Sequence, residues 1–222
     1  MPSLLNHLRI LIADDHAVTR AGLRNLLSSR PGWHVCAEAA TGREAVALTE
    51  QYRPNIVVMD IVMPELSGLE ATRRIRRLLP TTEIVVLSLH YSDDLVREIV
   101  NAGASAYVLK SDASKDLLRA IRAVANHQPY FTSPATEVLT KGVRDQNPEA
   151  ASSVSIYQSL TGREREIVQL LAEGQSCKEI SVGLGISIKT AETHRTNVMR
   201  KLRMHSVSEL VRFAVKHHMI EP

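Results

Sequence analysis

Between residues 8 and 126 the chain alternates five times between short β-branched runs and longer stretches at helical spacing, and few folds tolerate that pattern. Apolar runs without polar alternation belong to strands covered on both faces. Strands that alternate with amphipathic helices form βα units, and their crossovers leave a parallel sheet with helices on either side. The strands read at 8–13, 33–39, 55–60, 83–89 and 106–109, and the helices at 18–27, 42–51, 69–79, 93–102 and 114–126. Ser92 is placed as an N-cap and Gly103 as a C-terminal stop, while Pro31, Pro54 and Pro80 close other segments. The third helix places its arginines outside.

The ends of these strands carry the chemistry. The first strand runs into Asp14-Asp15, the third into Asp60, the fourth into Ser88 and the fifth into Lys110. Right-handed crossovers bring all those ends to one edge, where open α/β sheets bind ligands. A lone Asp after a strand usually caps a turn. Three carboxylates gathered together instead repel one another unless a cation joins them, and hard oxygen donors favour Mg²⁺. Lys110 adds a point charge for a phosphoryl oxygen, and Ser88 adds a hydroxyl.

These signs, together with Asp60-Ile-Val-Met-Pro-Glu-Leu-Ser-Gly, Gly103-Ala104 and Tyr107 three before Lys110, resemble a response-regulator receiver domain over 7–126. The resemblance implies a flavodoxin-like five-stranded sheet of order 2-1-3-4-5. It implies that a histidine kinase phosphorylates Asp60, and that Asp15, Asp60 and the Val62 carbonyl bind Mg²⁺ with Asp14 acting through water. Lys110 would contact the phosphoryl group. Ser88 would move to meet it, and Tyr107 would turn inward as Ser88 vacates space.

Residues 127–156 change character. Pro129, Pro134, Gly142 and Pro148 interrupt, a short helix is expected near 134–141, and 145–155 reads as flexible linker. Beyond it, Thr161/Glu164, Ser176/Glu179 and Ser206/Glu209 each fit a capping box, and Ser187 caps a further helix. Four helices therefore start near 162, 177, 188 and 207. A helix, a glycine-containing turn and a basic helix make a helix-turn-helix. Within 187–203 five basic residues face one acid, Glu192, although the whole chain carries a net charge of only +3. On a helical wheel Ala191, Val198 and Leu202 share one side, flanked by His194 and Arg195. Lys189, Glu192, Thr193, Thr196 and Arg200 share the other, with Asn197 at its border. That polar side suits base edges and phosphates.

Leu160-Thr-Gly-Arg-Glu-Arg-Glu-Ile-Val, Gly174, Lys178-Glu-Ile, Ile186-Ser187, Lys189-Thr190 and His194 through Leu202 resemble the LuxR-type helix-turn-helix over 157–222. Ser181 and Ala191 depart from its usual Ala and Val. The resemblance points Glu192, Thr193 and Thr196 at bases and Lys189, Thr190, Arg195, Asn197 and Arg200 at the backbone. It also implies pairing of two copies on double-stranded DNA through the last helix, where Val207, Leu210, Val211 and Ala214 are candidates. The whole chain is thus similar to NarL/FixJ-type response regulators, with a sensor kinase, DNA, a second copy and RNA polymerase as partners. Such a protein is cytoplasmic and is no enzyme beyond its own phosphotransfer and dephosphorylation.

Two rivals remain. A Mg²⁺-dependent phosphohydrolase would use Asp60 as nucleophile, but position 62 is Val rather than a second Asp. A phosphate-blind receiver serving as a protein platform would not need the full set of Asp14, Asp15, Asp60, Ser88 and Lys110. The two cysteines, Cys36 and Cys177, have no metal spacing, which fits a reducing compartment. No secretory signal or membrane-length apolar run is present. The pair His217-His218, at a helix end, is expected on the surface.

Overall fold

The computed structural model describes residues 7–131, 157 and 159–221. Among the described residues six strands are present: β1 (Leu8–Ala13), β2 (Trp33–Ala39), β3 (Ile56–Asp60), β4 (Glu83–Ser88), β5 (Ala106–Leu109) and β6 (Tyr130–Phe131). They form one parallel sheet in the order β2-β1-β3-β4-β5-β6. Five helices accompany it: α1 (Ala17–Ser28), α2 (Gly42–Tyr52), α3 (Gly68–Leu78), α4 (Asp93–Asn101) and α5 (Ala113–Ala125).

The unbroken apolar strands follow from two-sided burial. Successive side chains point to opposite faces. Leu11, Val57, Met59 and Val86 therefore join one core with α2, α3 and α4, which includes Ala45, Leu69, Ile75 and Ile99. Ile10, Ile12, Val58, Val85 and Leu87 join the other with α1 and α5, which includes Leu27, Leu117 and Ile121. Burying each such side chain contributes about 1.5–3 kcal/mol, so β3 has no place for a polar residue until Asp60.

The sheet differs from the expected five strands. Tyr130 and Phe131 pair with Ala106 and Tyr107 as a sixth, edge strand. The sheet therefore takes an edge strand from what reads as linker. A two-residue strand beside Pro129 has no periodicity to betray it; its β propensity comes from two aromatics alone. The expected helix near 134–141 and the linker at 145–155 lie outside the described residues.

Among the described residues, the C-terminal domain places the helices α6 (Gly162–Ala172), α7 (Cys177–Leu184), α8 (Ile188–Leu202) and α9 (Val207–Lys216). Thr161/Glu164 and Ser176/Glu179 close complete capping boxes. Ser206 accepts from the Glu209 amide, but the Glu209 carboxylate takes the His205 amide instead of returning to Ser206. That third box is therefore only half formed. Gly185 ends α7 in the left-handed region (φ 62°), where the absence of Cβ lets the chain turn into α8. Ile167, Leu171, Ile180, Ala191, Val198, Leu202, Leu210 and Ala214 fill the core.

Candidate functional site

β1 and β3 lie side by side and deliver Asp14 and Asp60 to the same edge. β4 and β5 add Ser88 and Lys110. Gly68 makes the edge possible at β3. Its amide donates to the Ile61 carbonyl (2.7 Å), and a Cβ there would run into the Asp60 carbonyl, so α3 can start directly beneath the acidic residue. Asp60 is 5% exposed and Asp14 fully buried. Lys110 Nζ spans them, 2.6 Å from Asp60 Oδ2 and 2.8 Å from Asp14 Oδ2. The other Asp60 oxygen accepts the Ile61 amide at 2.8 Å. Burial pushes the Asp60 carboxyl up to about 6, with the Lys110 ammonium offsetting only part of the penalty.

Asp14, Asp15, His16 and Asp60 each offer a ligand atom within 4.8 Å of the others. Three carboxylates against one ammonium leave unbalanced negative charge, and hard oxygens suit a hard divalent cation. The residues present therefore fit such an ion. His16 had not been singled out in the sequence, although it directly follows the Asp pair; its Nδ1 lies 2.7 Å from Asp15 Oδ1, and its amide donates to Asp14 Oδ1. Arg20 donates to the carbonyls of both Asp14 and Asp15 and fixes their loop. Val62 is half-buried beside the cavity over Asp60.

Ser88 is not directed at Asp60. Its hydroxyl donates to the His90 carbonyl (2.9 Å), and its oxygen accepts the His90 amide (3.0 Å). Tyr107 OH donates to the same carbonyl at 2.8 Å. Burial pushes the Tyr107 phenol up to about 12. Tyr107 is already fully buried, so the expected inward turn does not start from an exposed ring.

The second domain covers this edge. Gln169 of α6 reaches the β3–α3 loop, donating to Met63 O (2.7 Å) and accepting from Ser67 N (2.6 Å). Glu166 accepts from Arg43 and Arg74 of the first domain and from Arg163 of its own. Burial raises the Glu166 carboxyl, but these guanidiniums outweigh it and hold the group below the usual carboxylate range. Arg165 reaches Glu70 at 2.9 Å. The arginines of α3 that read as a solvated face thus include Arg74, which clasps the other domain. Val215, His218 and Ile220 roof a cavity of about 380 Å³ whose floor includes Asp60, Ser88 and Lys110. The pair expected on the surface is also part of this contact: His217 is 6% exposed and lies 3.2 Å from Glu98 of α4.

The polar side of α8 is left open. Ala191, Val198 and Leu202 of α8 face the core, whereas Lys189, Thr190, Glu192, Thr193, Arg195, Thr196 and Arg200 are exposed and Asn197 half-buried. Thr193 and Thr196 hydroxyls donate to carbonyls one turn back. Arg200 donates to Asn197. Of the candidates for pairing, Leu210 and Ala214 are fully buried inside their own domain, while Val207 is exposed and Val211 half-buried. The candidate face on α9 is correspondingly narrower than its apolar stripe.

Residues 10–122 match the family described as response regulator receiver domain, and 158–214 match bacterial regulatory proteins, luxR family. The transcriptional regulatory protein LiaR of Bacillus subtilis (strain 168) is 36% identical over 213 residues, covering 96% of this chain and 99% of that one. The oxygen regulatory protein NreC of Staphylococcus aureus is 36% identical over 216 residues, covering 96% and 100%. Among solved structures, a LuxR-family two-component response regulator from Aurantimonas sp. SI85-9A1 has a TM-score of 0.58 at 34% identity, covering 63% of this chain and 99% of that one. The Salmonella typhimurium RcsB response regulator shares the fold, with a TM-score of 0.63 at 23% identity over 96% of this chain and 98% of its own.

Proposed function

Because the chain belongs to the two-component response regulators, with a receiver domain followed by a luxR-family DNA-binding domain, we propose that Asp60 accepts a phosphoryl group from a sensor histidine kinase and so controls DNA binding. The supporting observation is the meeting of Asp14, Asp60 and Lys110 at one strand edge, with Ser88 on the adjacent strand end. In the transfer, an Asp60 carboxylate oxygen attacks phosphorus, the bond from phosphorus to the donor imidazole breaks, and the imidazole leaves. Such transfer needs positioning and charge neutralisation more than covalent assistance. Lys110 already lies against Asp60 and is placed to follow the phosphoryl oxygens. Asp14, Asp15, Asp60 and the Val62 carbonyl would hold Mg²⁺, which supplies charge neutralisation when bound. The chain acts as no enzyme beyond this reaction and its reversal by hydrolysis, and its setting is the cytoplasm.

The output follows from the covering domain. A phosphoryl group on Asp60 would enter the roofed cavity and add charge beneath Val215, His218 and Ile220. The closed arrangement then loses stability relative to an open one. The freed domain binds double-stranded DNA through α8 and pairs with a second copy through the outer side of α9, where Val207 and Val211 lie. RNA polymerase is a further partner of a DNA-bound pair. Incubation of the Asp60→Ala protein with acetyl phosphate and Mg²⁺ tests the assignment: no acid-stable, hydroxylamine-sensitive phosphate is expected, and undiminished incorporation would sink it.

A further inference from the structure

We propose that His217 and His218 form a two-pronged latch by which the DNA-binding domain senses the receiver's switch elements. The proposal rests on the reading of Asp60 as phosphoacceptor and of Ser88 as a partner of the phosphoryl group. The first prong is His217. Its ring stacks on Tyr157 (centroids 4.8 Å apart, planes 6° apart) and packs against Phe213 at 4.3 Å, so its own domain holds it rigid. It meets Glu98 of α4, itself 4% exposed. Glu98 Oε2 is buried and has no hydrogen-bond partner. The carboxylate therefore depends on His217 while the domains are closed.

The second prong is His218, whose ring stacks on His90 with centroids 6.0 Å and planes 27° apart. His90 sits between the switch hydroxyls and the output domain. Its carbonyl accepts from both Ser88 and Tyr107, while its ring meets the other domain. A serine hydroxyl carries a single proton. Ser88 cannot donate to the His90 carbonyl and to a phosphoryl oxygen at once. Engaging the phosphoryl group removes one of the two donors that fix this loop, and α4 begins just beyond it at Asp93. A shift of the loop draws His90 away from His218 and carries the start of α4, and with it the seat of Glu98, relative to His217. His90 is thus a positioning residue: it touches no phosphoryl atom but ties Ser88 to the interface.

The chain supplies its own reporters, since its two cysteines fall one in each domain: Cys36 on β2 and Cys177 on α7, both half-buried. Spin labels on this pair let double electron–electron resonance read the open-to-closed ratio of the full chain. His90→Ala and His218→Ala should each raise that ratio roughly two- to tenfold without phosphate, as expected for loss of an aromatic pair. The double variant should go no further than either single one, because both remove the same contact. His90→Phe, which keeps a ring, should restore the closed distance. Mg²⁺ with beryllofluoride should open the wild type. Ser88→Ala removes this donor permanently, so it should already be more open than the wild type without phosphate and should gain less from beryllofluoride. Unchanged distances in both single variants, or effects that add in the double variant, overturn the latch. A wild type that stays closed with beryllofluoride while His90→Ala opens would refute the phosphoryl-driven reading and leave only a static clasp.

Discussion

Gln169→Ala isolates the closure of the two domains from the folding of either. Apart from Glu173 of its own chain segment, the Gln169 side chain serves the receiver, saturating Met63 O and Ser67 N in the loop after Asp60. Met63 is 1% exposed and Ser67 3%. Truncation leaves two backbone groups without partners in the closed form, whereas in the open form water satisfies both. Each orphan costs about 1–3 kcal/mol, so closure weakens by roughly 2 kcal/mol or more, even when water enters the vacated space. At about 1.4 kcal/mol per tenfold, the open fraction rises ~30-fold. Because Asp60 lies under Val215, His218 and Ile220, incorporation of phosphate from acetyl phosphate draws on open molecules. Its initial rate should rise by a comparable factor, with unchanged helix content by circular dichroism. A rate within about twofold of wild type, from a folded variant, would refute the claim that these two bonds hold the roof in place.

Three further outcomes follow from the site and the reading helix. Mg²⁺ must displace a proton from Asp60 once the pH falls below about 6, so affinity measured by calorimetry should be flat above that value and fall about tenfold per pH unit below it; a flat profile down to pH 4.5 would show that the metal does not engage this carboxylate. Lys189→Ala and Arg200→Ala should weaken binding to DNA selected from a random pool and lower the salt slope by about one each if both meet phosphates; unchanged binding would misplace the face. Gly68→Ala forces a Cβ into the Asp60 carbonyl, so thermal denaturation should show a loss of about 1–3 kcal/mol, the usual range for overpacking.

The receiver was legible because every informative residue sits where a strand must stop. β3 is apolar on both faces until Asp60, and the same logic marks Asp14, Ser88 and Lys110. Helix starts were legible through Thr161, Ser176 and Ser187, whose side chains act on amides only three residues away. Ser206 shows the limit of that rule: its Glu209 partner found a nearer amide at His205. The domain contact was not legible. Glu166, Gln169, Arg43 and Arg74 have the polarity of solvated helix faces, and only the docking of one domain on the other makes them interior. His217 was misread for the same reason, since its burial depends on Glu98 and Tyr157, far away in sequence. His90 meets Ser88 and Tyr107 through its backbone carbonyl, which no side-chain pattern reports.

The closed molecule conceals Asp60, the proposed acceptor, yet leaves the polar side of α8 facing outward. Resting protein therefore retains a cationic surface for weak, sequence-independent association with DNA, along which it can slide. A signal then finds part of the population already on the chromosome. The delay between kinase activity and promoter response is in that case set by how fast the domains part rather than by a search through the cell.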